Sequence, residues 1–513
     1  MVSIQMLCYN YIEYIQMEPR SVHSWRQADC LSFVLNFYND RTTFLEPGVN
    51  NLGNTGDGKI ASDFPIVQYA VAQVWKITGQ STMIYRLVDL GFLLLGLLSI
   101  YKLYCYWFKD KYWLALLLTG IVYTSTILAY YGPTSLSDIQ ALGLSCAAFY
   151  HFIKWLDNKE NRYLYSTLFL FTFAGLLKMS SAFIFAIAIA YFVVRVLFGS
   201  QEDKKGLWSY SNVLFLFTPF LPWIAWYSHV HFYNELHHNE FFLIGILPIW
   251  EMTFEDATYN TFCLVGDLSS FFLSTSILFL LLVSVLAFLV LKFKSFFTEF
   301  YLRVLLPILA LICYILLFYQ VFNVHDYYLL NMIPILVIVL GLLIKYALEK
   351  YMSAFNHVFL PFTLFLVLVF LTHQTAVITR GRIEMGNWGF LSMVISKEKK
   401  AYFEWNTWYD RSRYEILENI QEETLDSIGL TKDQKVLCLG DYTINRSLYL
   451  INRLGYTDFA QDLGNIDKFL ALYKDKRINY LIVIDWDKVS KDKLEPYLKN
   501  KVYEKQGTSI YKL

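Results

Sequence analysis

The stretch HSWRQAD, residues 23–29, sets an imidazole, an indole, a guanidinium, a carboxamide and a carboxylate side by side. Such a set can move a proton and hold an anion: a carboxylate accepts a proton from an attacking hydroxyl, and a guanidinium grips a phosphate. Further along, Asp63 stands in SDFP, Asp138 in YGPTSLSD, Lys178 in GLLKMSS, and His325, Tyr327 and Tyr328 in HDYY. Taken singly, each reads more simply as a solvated loop residue. Taken together, they are two carboxylates at the starts of two successive amphipathic stretches, with a lysine and an HDYY turn returning to the same face. That pattern suits a site for a charged lipid headgroup.

The elements that must position these residues belong to a membrane protein. Of the 513 residues 56% are hydrophobic and only 17% charged, which argues against a soluble enzyme. Mean hydropathy is +0.38. Apolar runs of spanning length, about 20 residues, occur near 81–106, 112–131, 137–156, 163–178, 181–199, 208–229, 270–291, 302–322, 328–346 and 357–376. Residues 1–18 are apolar but short, and predict either a poor first span or an interfacial helix. Residues 64–78 predict an amphipathic helix at the membrane surface.

Net charge is zero, so no bulk basic field points to nucleic acid as a partner. The seven cysteines form no CxxC pair and imply neither a disulfide framework nor a zinc knuckle.

Lys and Arg are unevenly placed. They gather at 102–111, 154–162, 195–205, 292–303 and 345–350, whereas 131–136, 230–269 and 323–327 carry none. Basic residues collect on the cytoplasmic side. HSWRQAD, the 230–269 loop and the tail from about 380 are therefore expected outside. The tail reads as a soluble α/β domain of the Rossmann-like kind, with strands in 436–441 and 478–485 and helices in 445–454 and 466–475. The turn after the first strand, GDYTIN, lacks GxGxxG, so dinucleotide binding has little support.

HSWRQAD, then SDFPIVQYAVAQVWKITG, then YRLVDL resembles the first outer loop of the GT-C glycosyltransferases. The resemblance is nearest to the branch of protein O-mannosyltransferases and the lipid A aminoarabinose transferase. Asp29, Asp63, Pro65, Gly79 and Arg86 fill that loop's places; GLLKMSS is similar to the family's Lys-containing turn and HDYYLLNMIP to its late H-x-YY…P element. Two departures stand out: Asp29 is followed by Cys30 rather than a second acid, and Asp63 replaces a Glu.

The resemblance implies a GT-C fold of about ten to eleven transmembrane helices plus interfacial helices over residues 1–379. The first outer loop would lie at about 19–80 and an extracytoplasmic α/β accessory domain at 380–513. It also implies inverting transfer of a sugar from a polyprenyl-phosphate donor to an envelope glycan, lipid or protein; the general look of the chain suggests a bacterial inner membrane. Asp29 would then be the base, with Asp63 orienting the acceptor or holding a divalent metal beside a histidine.

The donor phosphate would be met by Arg26, Arg86 and Lys178, with His325, Tyr327 and Tyr328 donating hydrogen bonds. His23, Gln27 and Asp138 would serve the acceptor or the structure. The rival readings are that Arg26 pairs with Asp29, that Lys178 snorkels to the interface, and that the tyrosines form an interfacial belt. For the whole chain, the rivals are a lipid-linked sugar transporter and a glycan ligase or polymerase using a diphosphate-linked donor.

Overall fold

The computed structural model describes residues 1–209, 212–213, 216–239, 241–242, 245–295, 298–383, 400–401, 404, 412–459, 477–489 and 491–513. The chain opens with two short helices, α1 (Val2–Cys8) and α2 (Tyr11–Tyr14), neither long enough to span. α1 lies along later helices through Gln5, whose Nε2 donates to the Gly120 carbonyl at 3.0 Å.

The first loop carries α3 (Ser24–Tyr38) and α4 (Ile66–Thr78). In α4 the buried positions 67, 68, 71, 72 and 75 recur at helical spacing, so one face packs inward and the other is left for the interface. The amphipathic helix expected over 64–78 is there.

The membrane region follows as α5 (Thr82–Phe108), α6 (Tyr112–Val122), α7 (Thr126–Tyr131), α8 (Ser137–Asn158), α9 (Asn161–Leu177) and α10 (Ala182–Phe198). After α11 (Gln201–Leu207) come α12 (Phe220–Leu236), α13 (Phe254–Asp267), α14 (Thr275–Leu291), α15 (Glu299–Leu317), α16 (Ile333–Lys350), α17 (Met352–Phe355) and α18 (Phe359–Ile383). Five segments among the described residues are long and apolar enough to cross a membrane: 82–108, 179–198, 299–317, 326–350 and 359–383.

Ten were expected, and three of the expected runs differ as follows. The run 112–131 is broken at 123–125, where Ser125 caps α7 by accepting from Leu128 N. The run 163–178 ends at Lys178, whose extended backbone (φ −157°) stops α9 after 17 residues. Within the run expected over 208–229, residues 212, 213 and 216 are helical and α12 runs on from Phe220 to Leu236, while α13 occupies the far part of what reads as a 230–269 loop.

The C-terminal part builds a five-stranded sheet of β1 (Val436–Leu439), β2 (Gly455–Thr457), β3 (Tyr480–Val483), β4 (Lys501–Lys505) and β5 (Thr508–Lys512), in the order β2-β1-β3-β5-β4. β2, β1 and β3 are parallel, while β5 and β4 add an antiparallel hairpin. Both expected strands fall within the sheet, and α20 (Arg446–Leu450), after α19 (Glu422–Ser427), lies within the expected 445–454 helix. The helix expected over 466–475 lies outside the described residues.

The outer edge of β2 is covered by the first loop. Leu52 N donates to Gly455 O at 2.8 Å and Gly455 N to Asn50 O at 3.1 Å, so residues 50–52 continue the sheet.

Candidate functional site

The site forms where the first loop meets the α9–α10 turn and the turn before α16. His23 begins α3 in the left-handed region (φ 56°), which is costly for a side-chain-bearing residue and persists only where neighbours fix it. One such neighbour is Asp326, whose Oδ1 lies 3.2 Å from His23 Nε2. Phe64 N donates to Leu176 O at 2.9 Å, tying the Asp63 segment to the Lys178 turn.

Two ion pairs result. Arg26 Nη2 lies 3.4 Å from Asp63 Oδ2, which also accepts from Ser137 Oγ at 2.6 Å. Lys178 Nζ lies 3.3 Å from the buried Asp138 Oδ1, and stands 5.0 Å from the Tyr328 ring centre and 5.8 Å from that of Tyr327. These tyrosines pack with His325, Trp25 and His23 into an aromatic group beside the cations. His325 is pushed down to about 3 by burial and by the neighbouring His23, Arg26 and Lys178, so its imidazole is neutral. A small recess opens here, lined by Arg26, Cys30, Phe33, Ser62, Asp63 and Gln68 among others.

Three expected site residues lie behind this recess. Asp29 is fully buried; its Oδ1 accepts from Asn445 Nδ2 at 2.9 Å, and its Oδ2 has no hydrogen-bond partner among the described residues. Burial pushes its carboxyl up to about 7, against the opposing pull of Arg26 and the Asn445 bond. Arg86 is also fully buried, bonded through Nη1 to Pro133 O at 2.9 Å and through Nη2 to Gln27 Oε1 at 3.2 Å, and it stacks 4.7 Å from the Tyr14 ring. It braces Gln27 and HSWRQAD from below, away from the two ion pairs.

No three His, Cys, Asp or Glu side chains gather as a metal site among the described residues. The groups bonded to Asp63 are Arg26 and Ser137, not a histidine. His237 meets Asp57, and His229 meets the Leu45 carbonyl.

Several members escaped the sequence reading. Ser137 sits one residue before Asp138 in SLSD. Arg382, at the end of α18, donates to Asp326 Oδ2 at 2.7 Å, while Tyr131 OH donates to its Oδ1 at 2.5 Å. Asn445 is part of GDYTIN, set aside above for want of a dinucleotide motif. Its sequence neighbourhood carries no sign of the Asp29 contact.

An apolar groove of about 700 Å³ runs between α6, α14, α16 and α18, lined by Leu118, Ile277, Leu281, Val337, Leu340 and Leu364 among others. It extends from Leu273 and Ile333, just past the turn bearing Tyr327, to Lys292 and Lys350.

Comparison with known proteins agrees with this architecture. Residues 62–226 match the family described as dolichyl-phosphate-mannose-protein mannosyltransferase. The structure is similar to that of ArnT from Cupriavidus metallidurans bound to undecaprenyl phosphate, with a TM-score of 0.60 at 12% identity, covering 100% of this chain and 97% of that one. The apo form of the same enzyme gives 0.56 at 11% identity, covering 100% and 96%. No curated protein matches the sequence. The fold is that of a GT-C-type membrane glycosyltransferase, in a multi-pass membrane protein.

Proposed function

We propose that the chain transfers a sugar, with inversion, from a polyprenyl-phosphate-linked donor to a hydroxyl of an extracytoplasmic glycan, lipid or protein. The observation that carries this reading is the pair of neighbouring ion pairs, Arg26–Asp63 and Lys178–Asp138, linked through Ser137, which bonds Asp63 and precedes Asp138. The apolar groove supports a long isoprenoid chain as the donor's anchor, and ArnT's binding of undecaprenyl phosphate supports the same carrier class. The Lys and Arg distribution supports an outward-facing site; we place it at a bacterial inner membrane. On this reading residues 1–379 are the catalytic membrane domain and 380–513 the outer accessory domain.

The charges balance through the reaction. The donor phosphodiester brings one negative charge. As the acceptor oxygen bonds to the anomeric carbon and the carbon–phosphate oxygen bond breaks, the hydroxyl proton passes to Asp63. Polyprenyl phosphate leaves with two negative charges. Neutralising Asp63 frees Arg26 just as the leaving phosphate gains its second charge, so the guanidinium can move from carboxylate to phosphate, where such stabilisation is worth most. Lys178 and the Tyr327 and Tyr328 hydroxyls complete the phosphate's surroundings. We assign the base to Asp63 and not to Asp29, because Asp63 lines the recess whereas Asp29 is sealed behind it.

The test is label transfer from polyprenyl-phosphate sugars to envelope acceptors by protein in nanodiscs. Asp63→Asn should lower turnover at least about 100-fold, the range a general base commands. Full activity in Asp63→Asn would return the base to Asp29 or elsewhere. No turnover of any monophosphate-linked donor by the wild type would sink the reading.

A further inference from the structure

Arg26 and Asp29 stand one turn apart on α3, at the i, i+3 spacing that lets side chains meet along a helix. Arg26 nonetheless reaches across to Asp63, and both carboxylates act on its charge. A single guanidinium thus has two carboxylates within electrostatic reach, one across the recess and one on its own helix. What occupies the second is Asn445, from the C-terminal domain, through the 2.9 Å bond to Asp29 Oδ1.

The Asn445 amide cannot turn round. It is fully buried, and its Oδ1 accepts from Asn51 N at 2.9 Å, so its NH2 group must face Asp29. The reversed amide would set oxygen against carboxylate and NH2 against N–H. The turn that carries Asn445 is equally fixed. Asp441 accepts from Thr443 N at 2.9 Å and Ser447 N at 3.0 Å, and Arg446 Nη2 donates to Pro19 O at 3.0 Å. Tyr449 OH donates to Glu18 Oε2 at 3.0 Å.

We propose that Asn445 is a positioning residue of the site: by engaging Asp29 it keeps Arg26 directed to the recess, so the C-terminal domain decides which carboxylate the guanidinium serves. This rests on the reading above, in which Arg26 meets the donor phosphate. Without Asn445 both Asp29 oxygens are free and Arg26 is the group left to hold that carboxylate's charge; a guanidinium drawn back along α3 to do so costs the donor a contact.

The experiment is a double-mutant cycle in nanodiscs, with donor KM and kcat measured for wild type, Asn445→Ala, Asp29→Asn and the double variant, each checked for a cooperative thermal transition. Asn445→Ala should raise donor KM about tenfold, the worth of one charge-assisted contact. In the Asp29→Asn background the same change should leave donor KM unmoved, because a carboxamide at 29 offers Arg26 no charge. If Asn445→Ala does not fold, Asn445→Ser keeps a small hydrogen-bonding side chain near Asn51 but is too short to carry a donor to Asp29, and should raise donor KM likewise.

A rise of equal size in both backgrounds means a merely structural role and overturns the proposal, as does an unchanged KM in both Asn445 variants. With an active wild type and an inactive Asp63→Asn, either result condemns this inference alone. A wild type that turns over no polyprenyl-phosphate donor removes the functional reading and this inference with it.

Discussion

Arg382, the penultimate residue of α18, meets Asp326 at 2.7 Å with its guanidinium 4.0 Å from the Tyr130 ring centre, and both charged groups are buried. This pair anchors the HDYY turn, since the other oxygen of Asp326 holds His23 and Tyr131. Removing one partner of a buried pair leaves an uncompensated charge, a loss of about 3–5 kcal/mol. Arg382→Ala should therefore lower the thermal transition sharply in detergent. Arg382→Lys should recover only part of that loss, because an ammonium cannot both stack flat on Tyr130 and bond Asp326 as a planar group does.

The stability of the protein should fall as pH rises from about 4 to 7. Asp29 has its folded-state carboxyl raised to about 7, above its unfolded value, so the folded state holds more protons than the unfolded state across that window. Asp458, raised to about 7 by burial and by the Asp441 charge, titrates in the same window and shares the slope. Asp29→Asn keeps an acceptor for Asn445 and removes the ionisation. Denaturation midpoints for this variant should show a flatter pH dependence and a higher value at pH 8 than wild type. An unchanged slope would mean that Asp29 does not titrate there.

How much of this was legible in the sequence differs from residue to residue. The amphipathic helix at 66–78 was readable because its buried positions recur at helical spacing. HSWRQAD, Asp63, Asp138, Lys178 and HDYY were readable as a group because ionisable residues are rare near lipid, and the structure brings Arg26, Asp63, Asp138, Lys178, Tyr327 and Tyr328 to one place. The break at 123–125 was not, because Tyr-Thr-Ser fits an apolar run and only the capping hydroxyl of Ser125 ends it. Arg86 looked available for phosphate because sequence gives no measure of burial. Nor does it signal that Asn445 reaches Asp29 across 416 positions, since neither residue's local pattern refers to the other.

Close helix packing makes Gly143 intolerant of any side chain. A Cβ there would sit 2.2 Å from the Phe92 carbonyl oxygen of α5, and the facing Gly96 is already 3.1 Å from the Gly143 Cα by the same measure. Both partners are backbone, so neither can swing away. Gly143→Ala should reduce the yield of folded protein and its thermal midpoint, whereas Gly91→Ala on the same α5, with open space around it, should change little.

Sidedness can be read chemically. His231 is exposed on α12, which the proposed orientation places toward the outside, and Lys350 ends α16 at the basic side, which it places inside. In intact cells a membrane-impermeant maleimide should label His231→Cys and spare Lys350→Cys, judged against the parent protein's own cysteines. The reverse pattern would invert the orientation drawn from the charge bias.

The strand borrowed by the sheet at residues 50–52 has a consequence for the order of synthesis. Gly455 is made some 400 residues after Asn50 and Leu52, whose backbone groups it pairs with. The early segment therefore leaves the ribosome and, on the proposed orientation, crosses the membrane without its partner. Closing so long a loop costs little more entropy than closing a shorter one, so the delay is a matter of timing and not of final stability. A chain cut before residue 436 would insert its helices and still lack Asn445, β2 and α20, leaving the first loop unroofed. On the proposed reading, the molecule's chemistry waits on its last-made part.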